Sequence, residues 1–409
     1  MANTVSHKRS RSVVAYVGTW TEALGAGGNG RGIELFSADP HTGELSHRGL
    51  AAETRNPSWI ALHPSGKYLY AVNEITDFNG NSGSVCAFAV DGASGELRAL
   101  NTVDSGGAGP AYLSVDAGGN FAFVANYVGG SVAVLPIHSD GSLGEAVDVH
   151  RNVGSVGSAR ACSAPEGSFA VSGHDAPHPH MIAADPRNQF VLAADLGQDR
   201  IYTYRFDRRT GKLTPPPRAP FVSLPSGDGP RHFTFHPNGR WLYSIQEEAS
   251  TVAFFRYDPS TGSAEMQQTL STLPADFAGT SFASEIVVAP GGKMLYATNR
   301  LHNSIAVFSI ASDGRLSYRA ETPAHGDYPV QCRIDCGGNF LYVCNRRSDN
   351  ITSFQIDPDT GLLSFTGRYV PVGSPGCICE FSLPEGGSSP SPGRRNRLRT
   401  AAAKATAAR

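Results

Sequence analysis

The 409-residue chain has no stretch approaching twenty consecutive apolar residues, so it offers no helix able to span a bilayer. Its opening, MANTVSHKRSRSVV, carries charges with no apolar run behind them and does not read as a secretory signal. The seven cysteines (Cys86, Cys162, Cys332, Cys336, Cys344, Cys377 and Cys379) include no CxxC pair. Cys377 and Cys379 alternate on what reads as one strand, so they share a face and could approach each other. The odd total and the missing signal nevertheless point to reduced thiols in the cytosol. Neither a helical HxxxH motif nor a carboxylate-rich loop appears, so no metal and no cofactor is expected. Excess positive charge is confined to the ends. The formal charge is −2 overall, while residues 1–12 carry +3 and residues 382–409 carry +5. The middle of the chain is therefore acidic, which argues against nucleic acid as a ligand of the core. The Ser/Pro/Ala/Arg-rich end, like residues 1–13, reads as a disordered tail.

What is abundant is glycine, with 46 residues, and proline, with 27, far too many for a helical bundle and spread along the chain. They punctuate a repeat. A turn flanked by apolar alternation appears as DPHTGEL (39–45), DGASGEL (91–97), HSDGSL (138–143) and DRRTGKL (207–213), then as DPSTGSA (258–264), SDGRL (312–316) and DPDTGLL (357–363). Asp, Ser and Thr side chains bond their own backbone in such turns, and glycine takes the positive φ that closes a hairpin. The turn glycines step by 52, 46, 70, 51, 52 and 47 residues, the spacing of four-stranded blades with one long insertion.

A second signature, strand, tight turn, apolar strand, interleaves with the first. Its six complete copies are NPSWIALHPSGKYLYAVNE, GPAYLSVDAGGNFAFVANY, HPHMIAADPRNQFVLAADL, GPRHFTFHPNGRWLYSIQE, FASEIVVAPGGKMLYATNR and YPVQCRIDCGGNFLYVCNR. The seventh is split between SPGCICEF (374–381) and AYVGTW (15–20). The expected fold is an all-β, seven-bladed β-propeller over residues 14–381, with one blade shared by the N- and C-terminal strands so that no sheet edge is left open.

Antiparallel order then places the chemistry. Residues that open the innermost strand share a face of the ring with residues that end the second strand; the HPxG and DPxTG turns fall on the other face. On the first face the polar candidates are His178, His180, Arg231, His232, Glu247, Glu248, Glu285, Asn299, Arg300 and Arg346. Blades one and two are blander, apart from Asn73, Glu74, Asn126 and Tyr127. Chemistry is therefore expected on blades in the middle of the sequence. His63 and His236 sit in HPxG turns and read as structural. His178 and His180 flank a proline, and His180, which begins the apolar strand, is the one expected to point inward.

The set suits a small anionic ligand. Arginine presents a planar fork to carboxylate or phosphate, a histidine can take a proton from water, and donors aimed at a developing oxyanion serve ester and lactone hydrolysis.

The segments HPHMIAADP, DLGQDRIYTY, GPRHFTFHPNGRWLY, SEIVVAPGGKMLYATNR and VGSPGCICEF resemble the seven-bladed-propeller lactonase family, which contains bacterial-type 6-phosphogluconolactonases and fungal carboxy-cis,cis-muconate cyclases. The resemblance runs from about Tyr16 to Phe381. It implies a catalytic set of one histidine, two arginines and one glutamate at a channel mouth, carried here by His180, Arg231, Arg300 and Glu247. His178, His232, Glu285, Asn299 and Arg346 are expected to contact substrate. One departure stands out: relatives commonly read Asn-Glu where this chain reads Gln246-Glu247-Glu248, so either glutamate could fill the role. The long connector RNVGSVGSARACSAPEGSF is expected to lid the mouth or to be disordered.

The leading expectation is hydrolysis of an anionic sugar lactone, 6-phosphoglucono-1,5-lactone above all. A cyclase acting on a carboxy-muconate diacid is the alternative within the same site. A non-catalytic propeller scaffold is the alternative outside it, although a scaffold face should carry apolar hot spots instead of convergent His, Arg and Glu.

Overall fold

The computed structural model describes residues 12–22 and 27–383, which form 29 strands and no helix. The strands assemble into seven antiparallel sheets, as the repeat predicts. In blades one to six the innermost strands are Ile60–Leu62, Pro110–Val115, Pro179–Ala184, Pro230–Phe235, Phe282–Val288 and Pro329–Ile334. Each turns back into a second strand: Tyr68–Phe78, Phe121–Asn126, Phe190–Asp195, Trp241–Gln246, Met294–Arg300 and Phe340–Asn345. The closing blade takes its innermost strand, Pro375–Ser382, from the far end of the chain and its second strand, Val13–Thr19, from the near end. Val13 pairs with Ser382, so the ring is sealed by backbone hydrogen bonds between strands more than 350 residues apart. Most of the two predicted tails (1–13 and 382–409) lies outside the described residues.

The outer turns behave as their composition requires. All seven repeat glycines have positive φ, between 66° and 93°. Aspartates at the turn starts accept backbone N–H groups two or three residues on, for example Asp91 from Ser94 at 2.7 Å and Asp357 from Thr360 at 2.7 Å. Four buried tyrosines then lock neighbouring blades together. Tyr16, Tyr70, Tyr243 and Tyr296 donate their hydroxyls to the carbonyls of Gly95, Gly141, Gly314 and Gly361, each the turn glycine of the next blade, at 2.6–3.1 Å. The apolar cores also lie between blades: Ala15, Val17 and Phe36 of the closing blade pack on Phe340, Tyr342 and Cys344 of blade six. Burial of these faces against neighbouring sheets is what holds the ring together.

Blade three departs from the pattern. Its outer edge is two short pieces, Leu213–Thr214 and Phe221–Ser223, because three prolines (Pro215, Pro216, Pro217) cannot donate to a ladder. The insertion before it, residues 152–178, has almost no regular structure but is tied down along its length. Gly157 N–H bonds Gly197 O, Ser158 N–H bonds Ser226 Oγ, Phe169 N–H bonds Thr280 Oγ1, and Gly279 N–H bonds Glu166 O. It runs along blades three to five and lines none of the cavity described next.

Candidate active site

At one mouth of the channel lies a cavity of about 220 Å³ whose lining follows from a repeated backbone irregularity. In most blades the innermost strand begins with proline and is at once interrupted by a one-residue β-bulge. Pro110, Pro179, Pro230 and Pro329 pair with the second strand, the next residue is skipped, and pairing resumes after it. The closing blade does the same around Gly376. A bulge re-aims the residue it leaves unpaired, and here that residue turns toward the axis. It is Ala111, His180, Arg231, Val330 and Gly376 in blades two, three, four, six and seven, and Ser58, after Pro57 and ahead of the innermost strand of blade one, lines the cavity beside them. A second ring comes from the residue at the end of the second strand or just past it, Trp20, Tyr127, Glu247, Arg300 and Arg346, and from Glu74 at the matching repeat position inside the longer second strand of blade one. With Trp59 and Tyr328 these twelve complete the lining. All belong to the face that antiparallel order had assigned to the site.

Glu247 is the electrostatic centre of one wall. Its Oε2 lies 3.1 Å from Arg231 Nε and 2.5 Å from Arg300 Nη2, with all three side chains only about a tenth exposed. Arg231 Nη1 donates to Ser284 O at 2.7 Å, and Arg300 Nη2 to Ala283 O at 3.2 Å, so blade five's backbone fixes both guanidinium planes. Burial and the nearby Arg300 hold Arg231 below the usual arginine range; burial pushes Arg300 the same way but the Glu247 carboxylate outweighs it. Of the two adjacent glutamates, Glu247 lines the cavity. Glu248 faces away, into the insertion, where its Oε1 lies 3.2 Å from His174 Nδ1 and accepts the Ser172 N–H at 3.1 Å.

His180 stands beside this wall. Burial, then the charges of Arg231, His232 and Arg300, hold its pKa well below that of a free imidazole, so it is neutral and its ring can accept a proton. Its buried Nδ1 has no hydrogen-bond partner among the described residues. Beneath it, Trp59, Tyr112 and His232 meet across the axis, with ring centroids 4.3–5.2 Å apart, and plug the channel. His180 rests on this plug, its ring 5.0 Å from that of His232.

The other wall, from blades six, seven and one, carries groups that sequence reasoning underrated. Arg346 lies over the Trp20 indole, 4.1 Å from guanidinium carbon to ring centroid, and its buried Nη2 has no hydrogen-bond partner among the described residues. Glu74 accepts a hydrogen bond from Ser58 Oγ at 2.6 Å. The cavity lining draws on the whole ring and not on the middle blades alone. Aligning the seven copies in register would have found Glu74, because it occupies the same column as Glu247, Arg300 and Arg346.

Of the residues expected to touch substrate, only Arg346 lines the cavity. Asn299 does not: consecutive residues of a strand point to opposite sides, so with Arg300 inward Asn299 faces back. There it accepts from Thr272 Oγ1 at 2.6 Å and donates to Thr272 O at 2.9 Å. His178 also lies behind, stacked on Tyr127 at 4.4 Å with Nδ1 against the Tyr127 carbonyl. His232 and Glu285 form a buried pair, 3.1 Å apart, below the floor, where burial raises the Glu285 carboxyl to about 7 and keeps His232 neutral. These residues shape the site from behind. No cluster of His, Cys, Asp and Glu able to hold a metal occurs among the described residues.

Fold and site together define a seven-bladed propeller with a polar, arginine-rich cavity at one mouth of its channel. The chain belongs to the family described as "Lactonase, 7-bladed beta-propeller", whose model matches residues 14–380. It is 32% identical over 366 residues to the 6-phosphogluconolactonase of Bacillus subtilis (strain 168), covering 89% of this chain and 97% of that one. It is 30% identical to the 6-phosphogluconolactonase of Formosa agariphila, covering 85% of this chain and 94% of that one. Among solved structures it resembles the periplasmic gluconolactonase of Pseudomonas aeruginosa, with a TM-score of 0.79 and 28% identity over 91% of this chain and all of that one.

Proposed function

We propose that this enzyme hydrolyses 6-phosphoglucono-1,5-lactone to 6-phosphogluconate, using His180, Arg231, Glu247 and Arg300 as its catalytic set. The observation that carries the proposal is a histidine that shares one small cavity with two arginines paired to a single carboxylate. His180 takes a proton from the attacking water. Arg231 and Arg300 supply N–H donors to the oxygen that becomes negative as water adds to the carbonyl carbon. Glu247 holds the two forks in place, so their geometry precedes substrate binding. An anion between the arginines also cancels part of the charge that depresses His180, strengthening the base when substrate is present. The 6-phosphogluconolactonase relatives support this substrate, and the free state of all seven cysteines supports a reducing compartment, the cytosol, as the place of work.

The test is hydrolysis of the lactone above its spontaneous background, with carboxy-cis,cis-muconate assayed in parallel. His180→Ala and Arg231→Ala should each lower kcat/KM by about 100-fold or more. Unchanged rates in both variants would remove the assignment.

A further inference from the structure

We propose that Glu74 is a second catalytic residue, the acid that protonates the ring oxygen as the lactone opens. The inference rests on the lactonase reading above and extends it. Opening a lactone needs two proton movements: one off the attacking water, the other onto an alkoxide leaving group. In the catalytic set His180 serves the first, and it could serve the second only by carrying the captured proton across to the ring oxygen. His180 arrives neutral, and Glu247 is committed to two arginines.

Glu74 is placed for the second. It lies within the second strand of blade one, Tyr68–Phe78, in the repeat position that Glu247 holds just past the second strand of blade four, and it lines the same cavity. Blades one and three flank blade two, so Ala111 and Tyr127 lie between Glu74 and His180 on the cavity wall. Unlike Glu247, Glu74 has no cation within 4 Å among the described residues. Ser58 Oγ holds Oε2 at 2.6 Å, and Oε1 has no protein partner there. The charged groups facing it are Arg346 and, farther round, Arg231. Burial raises its pKa to about 7 against the pull of Ser58 and those arginines, which makes the protonated acid accessible near neutrality.

The step balances. Water adds to the carbonyl carbon and gives one proton to His180. The bond from that carbon to the ring oxygen breaks, and the ring oxygen leaves as a hydroxyl with the Glu74 proton. Histidinium and glutamate then return to their starting forms by passing one proton through solvent.

Wild type, Glu74→Gln and Glu74→Asp should be assayed from pH 5 to 9, with folding checked by thermal melting. Glutamine keeps the shape and can still accept the Ser58 bond. The proposal expects kcat for Glu74→Gln to fall about 100-fold, with KM changed less than threefold and partial recovery in Glu74→Asp. It also expects kcat/KM in wild type to decline above pH about 7, with that decline absent from Glu74→Gln. A structural role would not move the profile. An active wild type with Glu74→Gln at full rate and an unchanged profile overturns the role of Glu74 and leaves the lactonase reading standing. A wild type without activity on the lactone overturns both.

Discussion

Arg346 lies on the face of Trp20, 4.1 Å from the ring centroid, and the two residues come from opposite ends of the chain. The stack fixes a guanidinium whose buried Nη2 has no hydrogen-bond partner among the described residues. Burial lowers its pKa, against the opposing pull of Glu74. A fork held flat with a donor to spare is a ready contact for a phosphate. Arg346→Ala should raise KM for the phosphorylated lactone about 10- to 100-fold and change KM for unphosphorylated gluconolactone much less. Arg346→Lys keeps the charge without the planar fork and should fall between. Equal effects on both lactones in steady-state assays would remove this role.

Glu247 neutralises two buried arginines at once, and its loss leaves like charges facing each other. Breaking a buried pair by removing one partner costs about 3–5 kcal/mol. Glu247→Gln should therefore lower stability in denaturant titrations by an amount of that order and lower kcat by at least 10-fold. Added 6-phosphogluconate should restore more stability to this variant than to wild type, because the anion takes over the missing charge. No difference between the two proteins with ligand would contradict the arrangement.

His174 anchors the insertion. It is clamped between Asp199, at 3.0 Å, and Glu248, at 3.2 Å, with its side chain 1% exposed. Burial lowers its pKa, but the two carboxylates outweigh burial and raise it to about 10. A histidine with a raised folded pKa contributes stability fully below its unfolded pKa, near 6.5, and loses that contribution as pH climbs toward 10. His174→Gln should therefore be less stable than wild type at pH 6, and the gap should narrow steadily between pH 6.5 and 10. Limited proteolysis at pH 7 should cut the variant within residues 152–178 sooner than wild type. A gap that stays constant with pH would show that the imidazolium charge is not what holds the segment.

Asn299 offers a control. It sits one residue from Arg300, but its side chain bonds Thr272 in the loop behind it and Ser304 at the start of the next strand. Asn299→Ala should cost about 1–3 kcal/mol of stability and leave KM within twofold of wild type. A large rise in KM with unchanged stability would return Asn299 to the binding surface.

The propeller, its split blade and the face bearing the cavity were legible because they depend on periodicity and antiparallel order alone. His180, Arg231, Glu247 and Arg300 stood out only as members of a larger polar set, and it was the family resemblance that singled out these four, all of which line the cavity. Glu74 and Trp20 were harder to read. Glu74 lay in a blade with few other polar residues, and Trp20 lay in the divided copy. Asn299 and His178 looked functional because composition records polarity but not direction. Direction here comes from the bulge after each inner proline, a backbone event with no residue signature of its own. Tyr328 illustrates the same point. It holds a positive φ of 64° where blades two and four use Gly109 and Gly229, and the strained backbone brings its hydroxyl within 3.5 Å of Arg300.

The closing blade ties completion of the chain to completion of the site. Trp20 is translated early and Gly376 almost at the end of the ring, yet both line the same cavity. A nascent chain therefore cannot assemble the binding cavity until Pro375–Ser382 has emerged and paired with Val13–Thr19. A product cut short before that strand would carry His180, Arg231, Glu247 and Arg300 in full but present them in an unclosed ring. Activity thus reports intact synthesis as well as correct folding, and partial products are silent by construction.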